Sequence, residues 1–238
     1  MQSTHTVPGG SPLFVQVQTL IIQRMEDGIW PPGKRLPSEF ALAKEYDVSQ
    51  GTVRKALDAL VHKNLLIRHQ GRIRFVLSYS DQHELFRSFH LVEKNNTAQS
   101  PQTSHLIFHQ RRKCLPKESK RLKISKVAYV LNIRRVRGMG GTPVTIENIV
   151  VPDCLITGLG QESKISNELY QLYEQAYGVT IHKAVEHLRA GTTTHSEAAY
   201  LSLQEGDPLL EIDRLAATLD GTPVEWRVSR AIPAHIHI

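Results

Sequence analysis

At 238 residues the chain can hold one large domain or two of ordinary size, and its 40% hydrophobic content is enough to fill packed cores. No run of 18 or more apolar residues occurs and "MQSTHTVPGGSP" lacks the basic and apolar regions of a secretory signal, which argues against membrane-spanning helices and for a cytoplasmic protein; Cys114 and Cys154 are too few for a disulfide scaffold and read as free thiols. The net charge of +6 is uneven: +4 over residues 1–80 (10 basic, 6 acidic), +6 over 81–126 (10 and 4) and −4 over the remaining 112 (9 and 13), so a polyanionic partner suits the N-terminal half alone.

"SPLFVQVQTLIIQRMEDGIW" sets Phe14, Val17, Ile21 and Met25 near helical spacing, and Gly28, Pro31, Pro32 and Gly33 stop that helix. In "LPSEFALAKEY" Ser38 is an N-cap, Glu39 lies in the first turn where the helix dipole favours negative charge, and Leu42, Ala43 and Tyr46 follow. Asp47 and Val48 make a tight connection to a third helix, capped by Ser49, with Val53, Ala56, Leu57 and Leu60 at i, i+3, i+4 and i+7. "LLIRHQGRIRFVLS" reads as two short strands folded about Gln70 and Gly71. From residue 77 to about 102 the chain is polar and turn-prone, which predicts a linker over 78–90 between a domain at 10–77 and another at 91–238.

Further on, "VAYVLNIRRVRGM" and "TPVTIENIVVP" predict strands joined through Gly138, Gly140 and Gly141, and "NELYQLYEQAYG" predicts a helix closed by glycine. "TIHKAVEHLRAGT" fits a strand or a helix. "HSEAAYLSL" predicts a helix, and "PLLEIDRLAATLDGTPVEWRVSRAIP" a hairpin about Asp220 and Gly221. "RVRGMGGTPVTIENIVVP" and "RLAATLDGTPVEWRVSRAIP" share one order of basic residue, turn, Gly-Thr-Pro-Val, acidic residue and strand, which suggests two similar hairpins in one sheet.

The third helix begins with small and polar residues only. If Val53, Ala56, Leu57 and Leu60 face the core, then Gln50, Gly51, Thr52, Arg54, Lys55 and Asp58 lie on or beside the free face. A helix entering a DNA major groove needs such an end: nothing bulky holding it away from base edges, a dipole directed at phosphate, and amide or guanidinium groups able to make paired hydrogen bonds. An isolated amphipathic helix with this face would be read as merely solvated. Helix, tight turn, helix and basic hairpin in succession favour the nucleic-acid reading.

"PPGKRLPSEFALAKEYDVSQGTVRKALDALVHKNLLIRHQGRIRFV" resembles the winged helix-turn-helix domain of the GntR family of bacterial transcription regulators, through P-x-G-x-x-L-P-S-E followed by V-S-x-x-T-V-R-x-A-L. The resemblance implies DNA contacts from the helix tip, Ser49, Gln50, Gly51, Thr52 and Arg54, and from a wing tip of Gln70, Gly71 and Arg72. Phe40 and Gln50 stand where the family usually carries arginine, and the wing departs from G-x-G-T at Ile73 and Arg74. An amide at Gln50 suits adenine where arginine suits guanine.

Residues 83 to 233 resemble the UTRA effector domain of the HutC-like branch of the same family, through the two Gly-Thr-Pro-Val segments, "ELYQLYEQAYGVTI" and "HSEAAYLSLQEGDPLLEIDRL". That implies an α+β chain: a winged helix-turn-helix followed by a chorismate-lyase-like antiparallel sheet with flanking helices that binds a small organic effector. Arg135 and Arg137, two apart on a strand, share one face and are the expected anchors for an acidic ligand; cross-strand pairing with Glu147 or Glu225 is the plainer alternative. Tyr170 matches the tyrosine of the family's S-L-Y motif, and Glu168 replaces its serine. A glutamate there would repel phosphate, which points to a carboxylate-bearing, amino-acid or amine ligand instead of a phosphosugar. Glu147 and Glu225 are expected at the ligand or orienting the arginines, and Thr103 or Ser104 near the pocket entrance.

The expected whole is a homodimer on a pseudo-palindromic operator, a repressor more readily than an activator, with the linker as lever between ligand and helix three. Two rivals weigh less. A metal-responsive regulator would use His182 with His187 or His235 with His237, yet neither pair has zinc-site spacing, so no metal and no cofactor is expected. A chorismate-lyase-like enzyme would need a catalytic motif, and no G-x-S-x-G or phosphate loop occurs.

Overall fold

Apolar spacing and caps place three helices at the start of the computed structural model: α1 (Leu13–Glu26), α2 (Glu39–Glu45) and α3 (Gln50–His62). Ser38 and Ser49 cap as expected, each side-chain oxygen accepting a backbone N–H three residues on, from Ala41 and Thr52, at 3.1 Å. Val17 and Ile21 of α1, Leu42 of α2, and Val53, Leu57 and Leu60 of α3 are buried together. After α3, β1 (Leu66–Arg68) and β2 (Arg74–Val76) pair antiparallel, and Arg35 adds a bridge to Phe75.

The structure describes residues 10–68, 74–77, 90–91, 103–161, 165–233 and 236–237. The wing-tip residues Gln70, Gly71 and Arg72 lie outside these, as does the expected linker apart from His90. Two compact units make up the chain, Met1–Gln82 and His83–Ile238.

In the second unit a six-stranded antiparallel sheet runs β4-β5-β6-β9-β8-β7. Its strands are β4 (Thr103–Lys113), β5 (Tyr129–Met139), β6 (Thr142–Pro152), β7 (Lys183–Thr192), β8 (Pro208–Ala217) and β9 (Pro223–Ala231). A short pair, β3 (His90–Leu91) with β10 (Ile236–His237), stands apart. The two echoed segments are the hairpins β5-β6 and β8-β9, joined side by side through β6 and β9 at the centre. The ambiguous "TIHKAVEHLRAGT" contains β7, because all ten of its residues from Lys183 to Thr192 pair with β8 and only the strand conformation allows that.

Helices α4 (Pro116–Leu122), α5 (Leu169–Tyr177) and α6 (His195–Leu201) flank the sheet. Gly178 closes α5 in the left-handed conformation, as the sequence predicts. Leu122 of α4 packs with Val130, Val150 and Trp226, and Leu201 of α6 with Val136, Ile146 and Leu209. Strand alternation puts these strand positions on one face of the sheet, and Ile133, Arg135, Arg137, Glu147, Ile149, Glu225 and Arg227 on the other. The second face is therefore apolar at one end and charged in the middle, and α5 directs Tyr170 and Tyr173 onto it.

Candidate functional site

The tip of α3 is exposed at Ser49, Gln50, Gly51, Arg54 and Lys55, and half-buried at Thr52. A Cβ added to Gly51 would meet only the Ser49 hydroxyl, at 3.7 Å, so internal packing does not demand a glycine there. Phe40, on the adjacent α2, is 66% exposed, an apolar ring left in solvent beside polar neighbours.

One carboxylate ties this surface together. Glu39 of α2 accepts from Arg54 Nε of α3 at 3.0 Å and from Arg74 Nη1 of β2 at 2.8 Å. Arg74 Nη2 also donates to Asp58 at 2.6 Å, and Arg68 donates to the same carboxylate at 2.7 Å. Burial works to raise the Glu39 pKa, but the hydrogen bonds from Arg54 and Arg74 outweigh it and the net shift is downward. Arg74 is buried and holds the hairpin to the helices, whereas the Arg54 side chain is 46% exposed. An exposed pair of that kind is weak and exchangeable. From the sequence Glu39 is legible only as a helix-start residue and Arg74 only as part of the wing's departure from G-x-G-T; their ion pair follows from the fold.

On the charged face of the sheet, the expected effector residues gather around the first turn of α5. Arg135 Nε donates to Glu147, its register partner on β6, at 2.6 Å, and Arg135 Nη1 donates to the Asn167 carbonyl at 3.0 Å. Glu225 is held by Arg227 and two tyrosines. Its oxygens accept from Arg227 Nε at 2.9 Å and Nη2 at 3.1 Å, and from the hydroxyls of Tyr170 and Tyr173 at 3.0 Å each. Arg227 Nη1 reaches back to Glu147 at 3.4 Å, closing one network across β5, β6 and β9. Arg227 and Tyr173 are central members that the sequence reading missed.

Charge inside this network is strongly biased. Burial works to raise the Glu147 pKa, yet Arg135, Arg227 and Arg137 pull it well below the usual carboxylate range. Burial likewise works against the charge on Arg227, and Glu225 and Glu147 overcome it, so its pKa is raised. Arg137 differs: burial lowers its pKa, Glu147 opposes, and Arg135 and Arg227 add to the lowering. An anion next to Arg137 would relieve that repulsion. Its Nη2 lies 4.0 Å from Glu168 Oε1. The Tyr170 hydroxyl is pushed up to about 12, by burial first and the Glu225 charge second. Of the two suggested hydroxyls, Ser104 is the register partner of Arg137, while Thr103 stands opposite Gly138 and hence on the other face.

Among the described residues no group of three or more His, Cys, Asp or Glu side chains could hold a metal ion. His182 meets the Thr180 carbonyl at 3.2 Å, and His187 lies opposite Asp213. His235 is outside the described residues. Cys114 is buried and Cys154 exposed, and both are free thiols. No helix of the described residues is long and apolar enough to cross a membrane.

Comparison with known proteins gives the same two parts. The UTRA domain matches residues 99–236, and the gntR family of bacterial regulatory proteins matches residues 13–76. The transcriptional repressor NagR of Bacillus subtilis is 28% identical over 214 residues, spanning 90% of this chain and 88% of its own length. The histidine utilization repressor of Pseudomonas putida is 26% identical over 206 residues, 87% of this chain and 82% of that protein. The crystal structure of YydK from Bacillus subtilis shares the fold, with a TM-score of 0.55 at 22% identity over 96% of this chain and 98% of that one.

Proposed function

We propose, for a chain that belongs to the GntR family of bacterial regulatory proteins and carries its UTRA domain, that two copies read a pseudo-palindromic operator and that a small organic effector governs their grip. The chain is a transcription regulator and not an enzyme, in line with its relatives, which are named as regulators and repressors. The names of those relatives favour repression as the outcome of binding.

The observation that carries the DNA reading is the α3 tip: capped, exposed, free of bulk, and bearing Arg54 on an exchangeable bond to Glu39. Ser49, Gln50, Gly51, Thr52 and Arg54 are its proposed contacts, with Gln70, Gly71 and Arg72 at the wing. Gln50 and the exposed Phe40 direct preference toward A·T pairs, through adenine's paired edge and the thymine methyl.

For the effector, Arg137 is the proposed anchor, with Glu168 beside it and Tyr170 as a further contact from the same sheet face. Arg135, Glu147 and Glu225 already satisfy one another or their neighbours, so their proposed role is to shape the floor. Glu168, next to Arg137, would repel a doubly charged phosphate more than a singly charged carboxylate, which supports a carboxylate-bearing ligand. The relative named for histidine utilization is in keeping with an effector outside the phosphosugars.

A thermal-shift screen of polar metabolites on wild type and Arg137→Ala tests this. A carboxylate-bearing compound is expected to stabilise the wild type alone and to weaken operator binding by roughly 5- to 150-fold, the usual span of allosteric coupling. Release of operator by micromolar glucosamine phosphate, or an undiminished response in Arg137→Ala, would contradict it.

A further inference from the structure

Across β7, β8 and β9 the charged face carries one lateral row: Glu186 is the register partner of Arg214, and Arg214 of Arg227. The two guanidiniums flank the Tyr170 ring, their Cζ atoms 5.5 Å (Arg214) and 5.3 Å (Arg227) from its centroid. Like charges directly opposite on neighbouring strands repel unless acceptors lie between them.

The two arginines are satisfied differently. Arg227 turns its Nε and Nη2 edge to Glu225 and makes the paired hydrogen bonds given above. The same edge of Arg214 is buried, and neither nitrogen has a hydrogen-bond partner. Its Nη1 lies 3.3 Å from Glu186 Oε1, and that oxygen is also buried without a hydrogen bond. Both side chains are enclosed, 12% and 15% exposed, so bulk water does not stand in for the missing partners. Buried donors and acceptors left unmade are costly, and in native structures each calls for an explanation.

A carboxylate would meet the Arg214 edge with two parallel bonds, as Glu225 meets Arg227. A bare carboxylate, however, would sit beside the Glu186 carboxylate and be repelled, and a phosphate with its larger charge more so. A group with an ammonium next to its carboxylate gives Arg214 an acceptor and Glu186 Oε1 a donor at once.

We infer that Arg214 and Glu186 form a subsite for the α-amino-carboxylate end of an amino-acid-type ligand. The inference rests on the reading of this sheet face as the effector site and narrows its ligand class. Arg214 and Glu186 are absent from the candidate residues read from the sequence, because only the β7-β8 register brings them together.

The test is a thermal-shift and calorimetric titration of the full chain with the common L-amino acids. Each amino acid that binds is compared with the acid lacking its amine and the amine lacking its carboxylate. At least one amino acid is expected to bind while both stripped analogues fail, and Arg214→Gln and Glu186→Gln are each expected to weaken binding about tenfold or more. Glu186→Gln is nearly isosteric and keeps the test valid should Arg214→Gln fail to fold. Binding by no amino acid, equal binding by the acid alone, or wild-type binding by a folded variant overturns the inference. Operator binding by the same wild-type preparation reports separately on the wider function, and survives if only this subsite is misassigned.

Discussion

Glu225→Ala is expected to destabilise the C-terminal unit by about 3–5 kcal/mol, the loss found when one side of a buried ion pair is removed. Glu225 is fully buried, with 0% of its surface exposed, and four donors converge on it: two from Arg227 and the hydroxyls of Tyr170 and Tyr173. Alanine would take away the close acceptor of the buried guanidinium, leaving its long contact to Glu147 and the Tyr170 ring, and would remove the acceptor that both hydroxyls share. Urea unfolding followed by the fluorescence of Trp226, with Trp30 of the other unit replaced by Phe in every variant, measures the change, and Glu225→Gln, which keeps the shape but not the charge, should fall between alanine and wild type. A loss below about 1 kcal/mol for alanine would show the network to be dispensable.

The same network sets the acid limit of the unit. Because the Glu147 pKa is lowered in the folded state, its contribution is fully present above the unfolded value of about 4.3 and is lost as pH falls toward the folded one. Stability is therefore expected to hold from neutral pH to about 5 and to decline below about 4, and a rise on acidification would contradict this.

Arg54→Ala is expected to weaken specific operator binding roughly ten- to hundred-fold while leaving the melting temperature nearly unchanged. The side chain is exposed on the α3 tip, and its bond to Glu39 is of the weak surface kind, so folding loses little without it. DNA would offer a base edge or phosphate in exchange for Glu39. Arg74, bound to Glu39 and Asp58 and buried, is the contrast: its loss should lower stability first and binding only as a result. Gel-shift titration beside thermal melting separates the two, and unchanged affinity in Arg54→Ala would remove that residue from the interface.

Local signals made much of this molecule legible. Three helices followed from apolar spacing and from Ser38 and Ser49, and the two central hairpins from turn glycines and the echoed Gly-Thr-Pro-Val segments. The edge strand β4 was not read, because the burial of "TSHLIFHQRRK" does not alternate cleanly and a register shift interrupts it between Leu106 and Phe108. Helix α4 is a single short polar segment, "PKESKRL", with too few apolar residues to show a period. Arg135, Arg137, Glu147 and Tyr170 were named from family resemblance and strand spacing. Arg227, Tyr173, Arg214 and Glu186 were not, since strand register and the placement of α5 put them there; Arg227 lies 80 residues from Glu147, and Tyr173 lies 52 from Glu225.

The central claim is that α3 reads a DNA sequence under the control of a ligand on the sheet. Fluorescence anisotropy of the full chain on a selected duplex and a scrambled competitor, at two salt concentrations and with and without the stabilising metabolite, tests it most directly. The account predicts a preference of roughly a thousandfold or more, steep weakening with salt, and release by the metabolite. Equal affinity for both duplexes under every condition would contradict it.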